Sequence, residues 1–410
     1  MAKIRPFRAL RPEPARVADV AAVPYDVVNV AEARQLAGHN PLSFLRVSRP
    51  ELEMEDGVNP YADQVYARAV SNFEKLRRDA PLVIEDTPSL YVYSLTMGAH
   101  TQTGICATFS VDEYDSDKIL KHEKTRRDKE DDRTRHITEL RAQTGPVFLA
   151  YRGTQMVDAI IEGVKAGVPL FDIVAADEIR HVVWRVPDTI APSLGMAFAQ
   201  VPQLYIADGH HRAASAARVR EKLKAANPSH TGGEEYNFFL AVTFPAEQLR
   251  IMPYNRVVRD LAGATPQQFL DRVGTRFNVA EGASPAPQSK GQFSMYLGGR
   301  WYQLTRRAGS PARSGPIDTL DVSILQDELL EPVLGIKDPR SDKRIDFVGG
   351  IRGTEELERR VSSGEMAVAF SLHPVSMDDL FAVADAGQIM PPKSTWFEPK
   401  LRDGLLCHLI

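Results

Sequence analysis

One short stretch constrains the fold more than any other. Leu204 to Ala207 is apolar, Ala213 to Ala226 is rich in alanine, and Asp208 to Arg212 joins the two segments. The first segment predicts the end of a buried strand, and the second predicts a helix that Asn227 and Pro228 terminate. The backbone amides that begin a helix have no partners within it and carry partial positive charge. The sequence Asp208-Gly-His-His-Arg212 therefore predicts an anion-binding turn between a strand and a helix.

Each residue type in this turn fits the chemistry of an anion site. Gly209 permits a positive φ or a close approach of the backbone to a ligand, and Arg212 can bind a phosphate with two parallel hydrogen bonds. His210 and His211 can donate hydrogen bonds or carry protons, and Asp208 can hold a cation or a hydroxyl group. Each residue alone also fits a helix cap, a turn glycine or an ordinary histidine, but the five together favour a functional site.

Composition limits the classes of partner. The chain has 410 residues, with 50 Lys and Arg against 54 Asp and Glu, so its net charge is −4. This balance does not indicate nucleic-acid binding, and phosphate binding must depend on a local positive site. Two cysteines, Cys106 and Cys407, predict a reducing cytoplasm rather than a disulfide framework. The start of the chain lacks the apolar region of a signal peptide, and no run approaches the ~20 apolar residues of a membrane span.

The length predicts two or three cores, with one elaborated α/β unit as the alternative. We expect an α/β core with the Asp208 turn over residues 1–254, a smaller α+β lobe over 255–340, and a βαβα segment with a final strand over 341–410. Within the core, the strand before the turn, the alanine-rich helix and the strand Asn237 to Phe244 follow one another as a βαβ unit. Such a unit predicts a parallel pair of strands. The expected fold class is therefore mixed, α/β with α+β parts.

Local patterns predict further elements. An apolar residue at every second position from Ile105 to Val111 predicts a strand with one buried face, in a hairpin with Leu90 to Met97. The charged segment Arg126 to Arg141 predicts an exposed helix. Gly298-Gly299 predicts the turn of a second hairpin.

Residues outside the turn are also candidates for a site. His122 and Glu123 precede the charged helix, where the helix dipole favours a carboxylate and a neighbouring imidazole can tune it. The alternative is a glutamate that only complements the dipole. Among other residues, hydroxyl and basic side chains can bind an anion, and Trp396 can stack on a base or pack as an anchor. The candidate substrate-binding residues are Tyr25, Asp26, Asn255, Arg256, Lys393, Ser394, Thr395 and Trp396. Neither a Walker A loop nor a full G-x-G-x-x-G motif is present.

Five segments are informative when they are taken in chain order: Pro24 to Val27, Lys121 to Thr125, Tyr205 to Arg212, Asp346 to Gly350 and Met390 to Phe397. In this order they resemble domain-of-unknown-function family 1015. The resemblance extends over nearly the whole chain. The third and the fifth segments are specific to that family.

The Asp-Gly-His-His-Arg turn also resembles the phosphate-binding box of the ParB/sulfiredoxin superfamily, which includes free-serine kinases. This resemblance implies a ParB/sulfiredoxin-like core with large insertions, followed by the C-terminal βαβα segment. In those kinases a glutamate early in the domain is the catalytic base. The resemblance assigns this role to Glu123, with His122 beside it, and assigns the phosphates to Asp208–Arg212. Here 208 − 123 = 85 positions separate the two, more than in compact members of the superfamily.

The resemblance implies phosphoryl transfer between ATP or ADP and serine or phosphoserine, in serine biosynthesis, with the direction left open. Asp208 and His211 would then be catalytic as well, and Mg²⁺ near Asp208 would help to neutralise the phosphates. Two other functions stay open. One is a ParB-like regulatory protein that binds a nucleotide without turnover, and the other is a metal-dependent phosphohydrolase that uses Asp208, His210 and His211. A homodimer is one candidate assembly.

Overall fold

The computed structural model describes residues 3–79 and 82–410. The chain divides into two units: the first unit is Met1–Leu249 together with Pro399–Ile410, and the second unit is Arg250–Glu398. Both units contain helices and strands, so the predicted mixed α and β structure is confirmed. Among the residues described, none of the helices combines the length and the apolar character needed to cross a membrane.

The strands are numbered in chain order. They are β1 (Ala9–Pro12), β2 (Leu82–Ile84), β3 (Tyr91–Met97), β4 (His100–Ser110), β5 (Ile119–Leu120), β6 (Ala142–Gln143), β7 (Val147–Tyr151), β8 (Phe171–Val174), β9 (Arg180–Arg185), β10 (Leu204–Asp208), β11 (Phe238–Pro245), β12 (Arg250–Met252), β13 (Tyr254–Val258), β14 (Phe277–Glu281), β15 (Gln292–Leu297), β16 (Arg300–Arg306), β17 (Ile345–Gly349), β18 (Val368–Leu372), β19 (Trp396–Glu398) and β20 (Cys407–Leu409).

The α-helices are numbered in the same way. They are α1 (Val17–Val20), α2 (Val30–Ala37), α3 (Leu45–Ser48), α4 (Asp63–Asp79), α5 (Val111–Asp115), α6 (Arg127–Leu140), α7 (Gln155–Lys165), α8 (Ala191–Phe198), α9 (His210–Ala225), α10 (Pro266–Gly274), α11 (Asp321–Leu325), α12 (Glu331–Leu334), α13 (Glu355–Ser362) and α14 (Met377–Asp385). Short 3-10 turns occur at Pro14–Arg16, Pro50–Glu53, Glu235–Asn237, Ala246–Gln248 and Gly350–Arg352, and a π-helical turn at Gln326–Leu330 joins α11 to α12.

The strand before the predicted anion-binding turn, β10, lies inside an eight-stranded sheet of the first unit. The strand order of this sheet is β5-β10-β7-β11-β4-β3-β9-β8. β10 runs parallel to β5 and antiparallel to β7, and its register with β7 shifts between Ile206 and Asp208. Such a bulge bends a strand and redirects the side chains that follow it, which here include Asp208.

The βαβ unit predicted from β10, α9 and β11 is wrong. β7 lies between the two strands and pairs antiparallel with β10 and parallel with β11, so β10 and β11 run in opposite directions. Every residue of β7 is buried, because the strand is paired at both edges and covered on both faces. Its apolar run comes well before β10 in the sequence, and nothing in the run itself indicates which strands it separates.

The last strand of the chain returns to the first unit. β20 lies between β1 and β6 in a four-stranded sheet with the order β2-β1-β20-β6. His408 pairs with Ala9 of β1 and with Gln143 of β6. This pairing is why Pro399–Ile410 belongs to the first unit although it follows the second unit in sequence.

The first predicted hairpin is confirmed as β3 and β4, but β4 has two buried faces rather than one. Its alternating apolar residues belong to the main apolar cluster of the first unit, as predicted. The residues between them are buried as well; Thr108, for example, is 0% exposed. On that second face, Phe7 contacts both Tyr91 of β3 and His408 of β20. The four-stranded sheet therefore covers a surface that the alternation predicted to be exposed.

Packing between α6 and α9 brings the segment before α6 to the start of α9. The hydroxyl of Ser215, a buried residue of α9, donates a hydrogen bond to the carbonyl oxygen of Glu130 at 3.2 Å. Arg218 forms ion pairs with Glu130 at 3.4 Å and with Asp131 at 2.5 Å. The charged helix predicted over Arg126 to Arg141 is thus confirmed as α6, with one side packed on α9.

The structure divides the chain differently from the three parts predicted from the sequence. The main sheet of the second unit has the order β14-β16-β15-β18-β13-β17. It combines strands from the predicted lobe, 255–340, with strands from the predicted C-terminal segment, 341–410, because β17 and β18 pair with opposite edges of β13. The Gly298-Gly299 turn is confirmed between β15 and β16, with a positive φ at both glycines. The order β17-α13-β18-α14 is also the one predicted.

Candidate functional site

The predicted turn is shorter than expected, because α9 begins at His210 rather than at Ala213. Gly209 is the N-cap residue, with φ 89° and ψ 28°, a conformation that favours glycine. Gly209 has no side chain to cap the first amides, and no acidic side chain lies in the first turn. The amides of His210 and His211 therefore begin an uncapped helix, an arrangement suited to binding an anion.

We expect Gly209→Ala to lower the free energy of unfolding of the first unit by about 1–2 kcal/mol, because an alanine is strained at this positive φ. The added Cβ would lie 3.4 Å from the Cα of Val147 and 3.5 Å from the Cδ of Arg212, which are ordinary contacts. The cost is therefore conformational rather than steric. Urea unfolding measures the change.

Gly163→Ala is the matched control for this substitution. Gly163 lies inside α7, and nothing lies within 4 Å of a Cβ added there. Alanine in a helix interior is more stable than glycine by about 0.5–1 kcal/mol. The two substitutions should therefore have opposite signs, and a Gly209→Ala variant as stable as the wild type would contradict the conformational argument.

The carboxylate of Asp208 is held by two donors of the protein. Oδ1 accepts a hydrogen bond from the Gly209 amide at 2.8 Å, and Oδ2 accepts one from the Lys400 ammonium at 2.6 Å. Burial acts against the charged carboxylate, yet the charge of Lys400 and these hydrogen bonds lower the pKa of Asp208 to about 2. Asp208 is therefore ionised at neutral pH and paired with a cation that the chain itself supplies.

The predicted Mg²⁺ site at Asp208 does not fit this arrangement. One of the two oxygens is bound by an ammonium group, which repels a metal ion at the same position. His210 and His211 each use Nε2 to accept a hydrogen bond from a backbone amide. Over residues 3–79 and 82–410, no group of three or more His, Cys, Asp or Glu side chains is arranged to hold a metal ion. A metal-dependent phosphohydrolase built on Asp208, His210 and His211 is therefore not supported.

The structure brings Glu123 to the start of α9, as the resemblance implied. Glu123 Oε2 lies 3.7 Å from His210 Nδ1, and the Glu123 side chain is 43% exposed. His210 Nε2 accepts a hydrogen bond from the His122 amide at 3.4 Å, so the neutral ring carries its proton on Nδ1, the nitrogen that faces Glu123. Burial, together with the neighbouring His122, lowers the pKa of His210 well below its ordinary value. A neutral donor therefore faces a half-exposed carboxylate.

The second histidine of the turn holds the same segment at another point. His211 Nε2 accepts a hydrogen bond from the Arg126 amide at 3.0 Å. Burial lowers the pKa of His211, although the charges of Asp26 and Glu130 act in the opposite direction. His210 binds the amide of His122, and His211 binds the amide of Arg126. The two histidines therefore hold both ends of the segment 122–126, which carries Glu123.

His122 is buried between these groups. Its ring lies 4.5 Å from the ring of His210, and the residue is 2% exposed. Neither ring nitrogen makes a well-formed hydrogen bond, although the Ile206 backbone lies close enough to act on the ring. Burial lowers the pKa of His122 to about 4, although the Asp208 charge and the Ile206 backbone raise it in part. His122 is thus a neutral imidazole at the site, and it resists protonation.

This burial predicts a loss of stability in mild acid. Below pH 6.5 the unfolded chain takes up a proton at His122 that the folded protein does not accept until about pH 4. The free energy of unfolding should therefore fall as the pH falls through this window, with His122 contributing roughly 3 kcal/mol in total. Urea unfolding at a series of pH values measures the slope. It should become shallower in His122→Asn and stay unchanged in His39→Asn, since His39 is exposed; equal slopes in both variants would contradict the prediction.

The side chain of Arg212 is held in place by the carboxylates of Asp403 and Asp26. Its Nη1 donates a hydrogen bond to Asp403 Oδ1 at 2.8 Å, and its Nη2 lies 3.7 Å from Asp26 Oδ1. The guanidinium carbons of Arg212 and Arg133 lie 5.3 Å and 4.0 Å from the centroid of the Tyr25 ring. A cavity of about 30 Å³ beside these residues has room for water but not for a nucleotide. Tyr25 and Asp26 are thus brought to the turn, where Tyr25 packs under Arg212.

The other predicted substrate-binding residues lie in the second unit. The side-chain oxygen of Asn255 accepts a hydrogen bond from the Leu372 amide at 3.1 Å. Arg256 is buried and donates to the carbonyl oxygens of Tyr254 and Lys393, and burial lowers its pKa to about 10. These contacts stabilise the main sheet and the loop beside it. A role in substrate binding stays a prediction for both residues.

The segment from Lys393 to Trp396 makes contacts of the same kind. Trp396 packs so closely on Gly349 that a Cβ added there would lie 2.7 Å from the indole ring. The Ser394 hydroxyl donates a hydrogen bond to a backbone carbonyl oxygen at 2.6 Å, and Thr395 is partly buried. Trp396 therefore packs against Gly349, and a role in ligand binding stays a prediction for all four residues.

Three residues at the turn were not among the sequence candidates: Lys400, Asp403 and Arg133. Lys400 and Asp403 bind residues of the turn from 192 and 191 positions away in the chain. The signal available was the charged residues Lys400, Arg402 and Asp403 beside the apolar residues Leu401, Leu405 and Leu406. Charges buried in such a segment need partners, but the sequence does not say which partners they find.

Comparisons with known proteins give a family and several distant structural similarities. Among solved structures, a free serine kinase in complex with AMP is 12% identical, with 72% of this chain and 86% of that chain covered and a TM-score of 0.35. A conserved hypothetical protein from Pyrococcus furiosus is 15% identical, with 73% and 93% covered and a TM-score of 0.35. SbnI from Staphylococcus aureus, truncated at its C-terminus, is 12% identical, with 73% and 85% covered and a TM-score of 0.38.

At these identities and TM-scores the structural similarities carry no conclusion about activity. A search of curated proteins found no match to this chain. The sequence profile of the family described as a protein of unknown function, DUF1015, matches residues 4–323. Because this match covers more than three quarters of the sequence, the chain belongs to the DUF1015 family.

Proposed function

We propose that this protein binds the phosphates of a nucleotide at the start of α9 and transfers a phosphoryl group between that nucleotide and serine. One observation carries the proposal: a half-exposed carboxylate, Glu123, lies 3.7 Å from His210 at an uncapped helix start. Phosphoryl transfer to a hydroxyl requires an anion-binding site, here called the phosphate seat, and a nearby group that can accept the hydroxyl proton. The turn and the Glu123 segment together supply both.

Phosphate binding would depend on fixed groups. The amides of His210 and His211 and the partial positive charge of α9 would bind the phosphate oxygens. Neutral His211 adds a donor at Nδ1, since its Nε2 accepts from Arg126. Arg212 would support the phosphate seat as well. Its Nη1 is bound to Asp403, which holds the guanidinium in place. Groups fixed in advance stabilise the charge of the transition state without rearrangement.

Glu123 would act as the general base. When serine is phosphorylated, its oxygen forms a bond to phosphorus as the bond between phosphorus and the bridging oxygen of the nucleotide breaks. Glu123 accepts the proton of the serine hydroxyl, and in the reverse direction it returns that proton. The Nδ1–H of His210 faces Glu123 at 3.7 Å and would orient the carboxylate.

Phosphorus NMR tests the proposal. The protein is incubated with phosphoserine and either AMP or ADP, the nucleotides named with the free serine kinase structures, with and without Mg²⁺. Formation of ADP or ATP would support phosphoryl transfer. Inorganic phosphate alone would indicate a phosphatase, and nucleotide binding without turnover would favour the regulatory alternative. A protein that neither binds nor converts these compounds would contradict the proposal.

A further inference from the structure

Lys400 reaches the proposed phosphate seat from the far end of the chain. It lies in the C-terminal segment that β20 anchors in the first unit. Its ammonium is 2.6 Å from Asp208 Oδ2, and its side chain is 13% exposed. The other oxygen of Asp208 accepts from the amide of Gly209, the N-cap of α9. The Asp208 carboxylate therefore links the Lys400 ammonium to the N-cap residue of α9.

The charges at this position need an explanation, because an aspartate is a poor neighbour for a phosphate. Asp208 is ionised, and two like charges at close range repel each other. The Lys400 ammonium cancels this charge, and it occupies the position where a Mg²⁺ ion was predicted from the sequence. Asp208 then serves to hold the ammonium beside the seat.

A second feature of the turn also indicates a polar ligand. His122 is 2% exposed, and neither of its ring nitrogens makes a well-formed hydrogen bond, although the Ile206 backbone lies close enough to favour the protonated ring. Its ring lies 4.5 Å from that of His210, the first residue of α9. Buried polar groups in native proteins are usually paired. A buried imidazole without a well-formed hydrogen bond at this turn is consistent with a site that becomes complete when a ligand binds.

We propose that Lys400 is a phosphate-binding residue of this site and that Asp208 is its positioning residue. The inference rests on the proposed function and adds a group to it. A lysine ammonium is a compact charge with three donors, so it can bind a phosphate oxygen while it keeps its bond to a carboxylate. The ligand class it favours is a phosphate monoester or a nucleoside polyphosphate, rather than a neutral nucleoside. Lys400 lies outside the residues matched by the family profile.

Calorimetric binding of ADP and of adenosine to Lys400→Met tests this assignment. Loss of a hydrogen bond to a charged group should weaken ADP binding roughly tenfold or more. Binding of adenosine, which has no phosphate, should not change. Lys400→Arg should restore part of the affinity for ADP, since it keeps the charge. The double variant Asp208→Asn/Lys400→Met removes both partners and leaves no unpaired charge. If the loss of affinity comes from the contact between Lys400 and ADP, the double variant should bind ADP as weakly as Lys400→Met does.

Lys290→Met is the matched control. Lys290 also binds an aspartate, Asp379, at 2.6 Å, but in the second unit. Its replacement should leave ADP binding unchanged. ADP affinity in Lys400→Met equal to that of the wild type, or an equal loss for ADP and adenosine, would overturn the assignment of Lys400 alone. A wild-type protein that binds ADP no better than adenosine would overturn the proposed function together with it.

Discussion

Replacement of Glu123 by glutamine is expected to slow phosphoryl transfer roughly 10²–10⁴-fold, because the amide cannot accept the hydroxyl proton. The side chain is 43% exposed and lies 3.7 Å from the neutral His210 ring, so the fold should be unaffected. ADP binding should also be unaffected, because the amides of α9 are unchanged. The rate of exchange between phosphoserine and nucleotide, followed by phosphorus NMR, measures the effect.

Glu139→Gln is the control for this substitution. Glu139 is 48% exposed and lies 3.8 Å from Arg135, so its exposure and its distance to a neighbour resemble those of Glu123. It lies in the last turn of α6, away from the start of α9. The control should keep the full rate. If both variants kept it, Glu123 would not be the base and the mechanism would need another group.

Replacement of Asp403 by alanine is expected to lower the free energy of unfolding of the first unit by about 3–5 kcal/mol, because it removes one partner of a buried ion pair. Asp403 is 3% exposed and accepts a hydrogen bond from Arg212 at 2.8 Å. Burial raises the pKa of Asp403, although Arg212 acts in the opposite direction. Without Asp403, the Arg212 guanidinium still has Asp26, at the longer distance of 3.7 Å.

Unfolding of the first unit can be followed by fluorescence of Trp184, its single tryptophan, in a background where Trp301 and Trp396 are replaced by phenylalanine. Asp128→Ala is the control. The side chain of Asp128 is 43% exposed and pairs with Arg126, and exposed pairs of this kind contribute about 0–1 kcal/mol. A change below about 1 kcal/mol in Asp403→Ala would show that the buried pair does not hold the turn.

Local structure was largely predictable from the sequence, because short-range chemistry determines it. Gly298-Gly299 permits the positive φ that a tight hairpin needs, and the turn forms where predicted. Alanine-rich sequence gave the helix α9, although its start at His210 was placed three residues too late. The error arises at Gly209. Glycine is accepted as an N-cap residue, so the helix begins directly after it, at His210.

Topology was not predictable, because it depends on pairs of strands far apart in the chain. A buried run such as β7 pairs with any suitable strand, and its own residues do not indicate that it separates β10 from β11. The return of β20 to the first unit is of the same kind. The periodic pattern within a strand indicates which of its faces is buried, but it does not indicate which other strand it pairs with.

The candidate site was predictable in part for the same reason. The five residues Asp208–Arg212 are contiguous, so their chemistry was visible in the sequence. Glu123 was found through a resemblance, and the structure brings it to His210. Lys400 and Asp403 come from the C-terminal segment, and only the fold shows that they bind Asp208 and Arg212.

A crystal structure of the protein with ADP and serine bound would test the central claim most directly. We expect phosphate oxygens at roughly 3 Å from the amide nitrogens of His210 and His211, with the serine hydroxyl within reach of the Glu123 carboxylate. Phosphates bound elsewhere on the chain, with no anion at the start of α9, would contradict it.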